Sequence, residues 1–399
     1  MSTYSGLAVR RVVACTLAGV FLAWCPAFGA RAFLAEITVY HAKDGGYFIH
    51  RIPALLTTDK GTLLAFCEAR RDSADDWAPA NLVLRRSLDN GKTWTPAQVV
   101  ARFPSATVGN PTPVQDRKTG VIWLLITSNP AGLTEEAIAN GSSQGTRTVW
   151  ITHSSDDGAT WSPAEEITSS TKEPDWTWYA TGPGNGIQLE SGRLVIPCDH
   201  KVAGTHAYYA HVIYSDDDGK TWKIGGSVGP QTNESAAVQL ADGSLLLNMR
   251  SYAGQHRRAI AYSHDDGLTW SPVRLDPALI EPVCEASFIR HTLARNAGRN
   301  RLLFSNPADT VRDRLTVRLS YDEGKTWPVA RLVNEGFSEY SSLAVLRDGT
   351  IGLLYTRGHG KPTTPDQWYP PVNSEIVFAH FNLEWLTHGT DHLEANLNQ

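Results

Sequence analysis

Cysteine is scarce in this chain: five residues in 399. Cys15 and Cys25 fall within the first 32 residues, which leaves Cys67, Cys198 and Cys284 far apart. Three such residues make no disulfide framework, and their spacing fits no zinc-ligand pattern. Buried free thiols are expected, with at most one bridge. No EF-hand-type loop or carboxylate cage demands calcium. No cofactor and no metal are called for. Positive charge is also short, with 36 Lys and Arg against 41 Asp and Glu and a net charge of −5. Arg10, Arg11 and Arg31 precede Phe33 without any acidic residue, so the rest of the chain is more acidic still. That balance argues against nucleic-acid binding, and an anionic partner would need a local cationic pocket.

Long apolar runs are missing too, apart from residues 12–24. Arg10 and Arg11 precede that run, and an A-x-A-like site, Ala30-Arg31-Ala32, follows it. The run is too short to span a membrane and reads as a secretory signal over 1–32. The expectation is a mature chain of 33–399, secreted or periplasmic, acting as a monomer. An uncleaved N-terminal anchor is the rival reading. No long amphipathic helix pattern appears, and no appended module or linker.

What is abundant is tryptophan, at 13 residues, and a repeat accounts for much of it. The pattern S-x-D-x-G-x-T-W occurs five times, starting at Ser87, Ser154, Ser215, Ser263 and Ser320. Each position has a physical task. Asp accepts hydrogen bonds from its own turn. Gly permits a positive φ. Ser and Thr tie the turn together, and Trp plugs it from below. Short strand-like runs lie between the copies, such as residues 61–66, 81–85, 193–196, 244–248 and 350–355. Units of about 50–60 residues with several short strands indicate propeller blades. The expected fold is all-β: a six-bladed β-propeller in which residues 36–40 close the ring. A repeat of this kind sets a fold and leaves function open.

Other segments bear on function. They are Phe48-Ile-His-Arg51-Ile52-Pro53, Leu63-Leu-Ala-Phe-Cys-Glu68-Ala-Arg70 and Ser73-Ala-Asp75-Asp76-Trp77. Asn233-Glu234-Ser235 leads to Arg250, Phe304-Ser-Asn-Pro307 leads to Arg312, and Ser338-Glu-Tyr340-Ser-Ser-Leu343 follows. Together with the five repeats, these segments resemble the sialidase (neuraminidase) family of bacteria and animals over nearly all of the chain after residue 32. The first departs from the family's F/Y-R-I-P motif by an inserted-looking Ile-His.

The resemblance implies an exo-α-sialidase that removes terminal sialic acid from glycoproteins, glycolipids or oligosaccharides. It implies that Arg51, Arg250 and Arg312 bind the substrate carboxylate and that Arg70 contacts the ring near its 4-hydroxyl. Tyr340 matches the nucleophile, Glu234 its base, and Asp76 the acid/base, with Asp75 as the alternative. Arg314 is the neighbour that could be mistaken for Arg312. The chemistry is coherent. Three guanidiniums suit a carboxylate on the anomeric carbon, and a neutral phenol attacks beside that carboxylate without the repulsion a carboxylate nucleophile would meet.

Three alternatives stay open: a trans-sialidase, an enzyme preferring the deaminated sugar, and a non-catalytic binding protein. The G-x-S-x-G match at 141–145 sits in a polar loop and reads as no serine-hydrolase elbow. Asn140 and Asn233 lie in N-x-S sequons. Trp123, Trp176, Trp178 and Tyr179 read as core or rim, and the segment around Trp176 resembles one that skirts the family's site.

Overall fold

The computed structural model describes residues 1–2, 30–140, 145–205, 207–360 and 369–393. Most of the expected signal segment falls on residues 3–29, outside the described residues, as does most of the G-x-S-x-G match. No helix of the described residues is long and apolar enough to cross a membrane. Cys67, Cys198 and Cys284 are buried free thiols.

Strand β1 (Leu34–Tyr40) is followed by a first sheet of β2 (Ile49–Thr57), β3 (Leu63–Arg70), β4 (Ala80–Ser87) and β5 (Gln98–Ala101). The second holds β6 (Gly109–Gln115), β7 (Ile122–Ser128), β8 (Thr148–Ser154) and β9 (Glu165–Glu166). The third holds β10 (Trp176–Thr181), a short β11 (Ile187–Gln188), β12 (Leu194–Val202), β13 (Tyr208–Ser215) and β14 (Lys223–Val228). The fourth holds β15 (Thr232–Gln239), β16 (Leu245–Ser251), β17 (Arg257–Ser263) and β18 (Arg274–Ile280). The last comprises β19 (Ser287–Thr292), β20 (Arg301–Pro307), β21 (Asp313–Ser320), β22 (Val329–Val345), β23 (Ile351–Arg357), β24 (Glu375–Phe381) and β1.

The architecture is a β-propeller, but the expected six separate blades are not what the hydrogen bonding gives. Four sheets are separate blades, and the fifth is one continuous sheet of seven strands. The physical reason is β22. It runs 17 residues without a break, pairing β21 along Val329–Phe337 and β23 along Ser338–Val345. The expected closure by the N-terminal strand is present: β1 pairs antiparallel with β24, Leu34 opposite Phe381.

Sequence explains the layering within a blade. Middle strands are apolar on both faces and fully buried, as in β3 (LLAFCEAR). Outer strands are mostly open to solvent, as in β18, where only Asp276 and Leu279 are buried. All five repeats form the same turn. In the first, Gly91 N donates to Ser87 Oγ at 2.9 Å, and Thr93 N and Thr93 Oγ1 donate to Asp89 at 2.9 and 2.6 Å. The others repeat this geometry at Asp156, Asp217, Asp265 and Asp322.

Each turn also abuts the preceding blade. A Cβ added at Gly91 would lie 2.0 Å from Phe378 of β24, one at Gly158 2.8 Å from Leu64 of β3, and one at Gly219 2.1 Å from Trp123 of β7. Trp94 packs edge-on against the same Phe378, and Trp161 against Phe66. Positive φ and close approach thus both require glycine here, at φ 84° for Gly91. The repeats are the contacts that lock one blade to the next.

Candidate active site

The innermost strands line one cavity of about 520 Å³, and each reaches it through the same device. Register slips by one residue between Arg51 and Ala54, Gly109 and Thr112, Trp176 and Tyr179, Thr232 and Ser235, and Ser338 and Ser341. A β-bulge places two consecutive side chains where a regular strand would turn one away. Arg51 and Ile52, Gly109 and Asn110, and Asn233 and Glu234 accordingly line the cavity as adjacent pairs. Ile52 adopts φ 55°, a left-handed conformation that a β-branched residue rarely accepts.

The structure brings together all seven residues singled out from the sequence: Arg51, Arg70, Asp76, Glu234, Arg250, Arg312 and Tyr340. It places the two aspartates of the 73–77 loop differently. Asp76 lines the cavity, whereas the Asp75 carboxylate accepts from Ser73 Oγ at 2.7 Å and lies off the cavity wall. Arg314 is turned outward, its side chain 47 % exposed, with Asp309 at 4.0 Å.

At the floor, the Tyr340 hydroxyl donates to Glu234 Oε1, and Arg250 Nη1 donates to Glu234 Oε2 at 2.7 Å. Arg250 Nη1 also lies 3.4 Å from the Tyr340 oxygen, and the Arg312 guanidinium sits 5.8 Å from the Tyr340 ring centre. Burial and then the Glu234 carboxylate push the phenol well above its ordinary value, so it stays a neutral donor to Glu234. Ile52 and Cys284 pack against the Tyr340 ring.

On the facing wall Asp76 Oδ1 lies 3.1 Å from Arg51 Nη1 and 2.8 Å from Arg70 Nη2. Burial alone would raise the Asp76 carboxyl, but the Arg70 and Arg51 guanidiniums outweigh it and hold the group well below the carboxylate range. The Asp76 side chain remains 42 % exposed, at the mouth.

Carboxylates behind the arginines fix them. Glu339, fully buried, accepts from Arg51 Nε at 3.1 Å, Arg51 Nη2 at 2.9 Å and Arg312 Nη1 at 3.1 Å. Glu68 accepts from Arg70 Nη2 at 2.7 Å and from the Asn110 backbone N–H at 2.9 Å. The motif reading passed over both, although each stands in a quoted segment. An acidic residue in an otherwise apolar buried strand needs a cation, and that was the available signal.

Sequence reasoning also missed the far wall. Arg147 donates to Asn110 Oδ1 at 2.5 Å, and its guanidinium stacks 4.0 Å above the Trp178 ring centre. Glu135, from helix α1 (Glu135–Ala139), accepts from the Tyr208 hydroxyl and is pushed upward by burial. Asp199, fully buried, accepts from Asn233 Nδ2 at 2.8 Å and is pushed well up by burial and by Glu234. Asn233 is thus committed inside the protein, and its sequon offers no accessible amide. Of the aromatic segment, Trp178 lines the cavity. Trp176 and Tyr179 pack into the third blade against His200 and His211, and Trp123 packs beneath the third repeat turn, its Nε1 donating to Asp218 O.

Comparison with known proteins places the chain in a family. Residues 61–353 match the model of a BNR repeat-like domain. A sialidase of Micromonospora viridifaciens is 36% identical over 361 residues, covering 86% of this chain and 52% of that protein. A sialidase of Bacteroides fragilis is 35% identical over 339 residues, covering 80% of this chain and 62% of that protein. The chain therefore spans only about half to three-fifths of these two relatives. Among solved structures, the Hadza microbial sialidase Hz136 superimposes with a TM-score of 0.78 at 31% identity, covering 88% of this chain and 69% of that one. With its repeat turns, its propeller and a match across most of its length, the chain belongs to the sialidase family.

Proposed function

We propose that this protein is a secreted exo-α-sialidase that acts as a monomer on sialylated glycoproteins, glycolipids or oligosaccharides, retaining configuration through a tyrosyl intermediate. One observation carries the reading: the hydrogen-bonded Tyr340–Glu234–Arg250 set lies in the same cavity as Asp76, with Arg51 and Arg312 beside it. The 1–32 segment supports secretion.

In this reading Arg51, Arg250 and Arg312 clamp the substrate carboxylate, and Arg70 meets the 4-hydroxyl. Tyr340 Oη attacks the anomeric carbon while its proton passes to Glu234. The glycosidic bond breaks and Asp76 gives its proton to the departing oxygen. Water, losing a proton to Asp76, then attacks the same carbon. Tyr340 leaves and recovers its proton from Glu234. Asp76 must be protonated for the first step, yet the Arg70 and Arg51 guanidiniums hold it ionised. An incoming carboxylate that takes over Arg51 relieves that hold, so substrate binding itself raises the Asp76 carboxyl toward its working range.

A second reading is favoured by Arg147. Moving along the wall from Arg70, the chain of contacts runs through Glu68 and Asn110 to Arg147. With Arg70 at the 4-hydroxyl, the next stretch of that wall carries the Arg147 guanidinium, a polar surface that would suit the hydroxyl of the deaminated sugar. Comparing release rates from the two sugars decides between them.

The test of the main reading is release of a fluorescent aglycone from an α-sialoside by wild type and Tyr340→Phe. A fall of about 10²–10⁴-fold in the variant is expected. A wild type inactive on both sugars across pH would leave a sugar-binding propeller and end the enzymatic reading.

A further inference from the structure

Tyr369 is an aromatic residue of the cavity that the catalytic scheme does not use. It comes from the segment between β23 and β24, and its ring lies 5.1 Å from the Arg51 guanidinium. Pro370 and Pro371 follow, fixing the backbone behind it, and Val372 after them is exposed. Burial pushes the Tyr369 hydroxyl up to about 12, with the Asp76 carboxylate the next largest influence. Asp76 Oδ1 lies 3.1 Å from Nη1 of the same Arg51 guanidinium, so the ring stands on the Asp76 side of the cavity.

Among the described residues, the other aromatic side chains of the cavity stand elsewhere. Tyr340 forms the floor, Tyr252 lies by Arg250, and Trp178 is covered by Arg147. Asp76 is half-exposed at the mouth. A group leaving past Asp76 must cross the rim there, because an exo-acting site holds only the terminal sugar. Among the described residues that line the cavity, the aromatic surface on that side is the Tyr369 ring. A sugar offers such a ring a face of C–H groups.

We propose that Tyr369 is the platform for the sugar to which sialic acid is attached, and so a specificity-determining residue for the leaving group. This rests on the sialidase reading above. It predicts a dependence on what the sialic acid is linked to, separate from recognition of the sialic acid itself.

The experiment compares wild type, Tyr369→Phe and Tyr369→Ala on two substrates with the same terminal sugar: 3′-sialyllactose and sialosyl fluoride, whose leaving group is a single atom. For Tyr369→Ala, kcat/KM on sialyllactose is expected to fall about tenfold further than on the fluoride, the size of one aromatic contact. Tyr369→Phe keeps the ring and should keep the wild-type ratio of the two. An equal fall on both substrates would overturn the proposal, since Tyr369 would then act through Arg51 on the carboxylate. No fall on either would overturn it as well. If wild type hydrolyses neither substrate, the sialidase reading fails first and takes this inference with it.

Discussion

Glu339 is the residue whose removal tests the electrostatic design of the site most sharply. It is fully buried and holds Arg51 and Arg312 through three hydrogen bonds of 2.9–3.1 Å. Glu339→Gln keeps the shape and removes the charge. One amide oxygen still accepts, but the amide NH₂ now faces a guanidinium, and two buried cations lose their shared anion. Breaking a buried pair of this kind costs roughly 3–5 kcal/mol. The retained acceptor puts the expectation near ~3 kcal/mol. For a chain of this size, at about 2 °C per kcal/mol, the melting temperature should fall by roughly 6 °C. Two arginines no longer fixed should also lower kcat/KM on an α-sialoside by about tenfold or more. Calorimetry and steady-state kinetics on the same preparation give both numbers. A variant melting within about 1 °C of wild type with unchanged kinetics would refute the argument that the buried carboxylate organises the arginines.

The remaining predictions are more local. Gly91→Ala introduces a methyl 2.0 Å from Phe378 at a φ of 84°, and a thermal melt should show a loss of about 2 kcal/mol or more, because the contact closes the ring. Asp76→Asn should abolish most hydrolysis of a sialoside with a poor leaving group, whereas Asp75→Asn should leave it within a few-fold of wild type; the reverse result would move the acid/base role to Asp75. Threonine side-chain and backbone hydrogen bonds lower Asp89, Asp156 and Asp265 from 3.8 to about 2. Their stabilisation is therefore complete above the unfolded value and lost as pH falls from 3.8 toward 2. Melting temperature should drop steeply across that window, and Asp89→Asn should flatten the drop.

Much of the fold was legible because its signals are local. A Ser-Asp-Gly-Thr-Trp turn satisfies its own hydrogen bonds within eight residues, so the sequence alone announces it. The fusion of the last sheets was not legible. It depends on Gly336, Phe337 and Ser338 continuing as strand, with Phe337 opposite Asp313 and Ser338 opposite Arg357. Neither partner is close in sequence. The site divides in the same way. Arg51, Asp76, Glu234 and Tyr340 stand in recognisable motifs, and the cavity assembles them. Arg147 and Tyr369 stand in none, and their position follows only from how the blades are arranged around the channel.

The bulges explain how so many charged groups fit around one small cavity. An inner strand with regular alternation would offer the cavity every second side chain and send its neighbour into the blade core. At Asn233 and Glu234 that would bury one polar residue among apolar ones. The slip between Thr232 and Ser235 instead lets Glu234 face Tyr340 while Asn233 reaches Asp199. The slip between Ser338 and Ser341 does the same for the fifth sheet, letting Glu339 reach Arg51 and Arg312 while the next residue, Tyr340, reaches Glu234. Tyr340 and the arginine anchor Glu339 are thus consecutive residues with separate partners. Restoring regular pairing at this level by deleting one residue, in any of these strands, would remove a functional group and bury a charge in the same step. The irregularity is therefore the means by which a symmetric scaffold carries an asymmetric site.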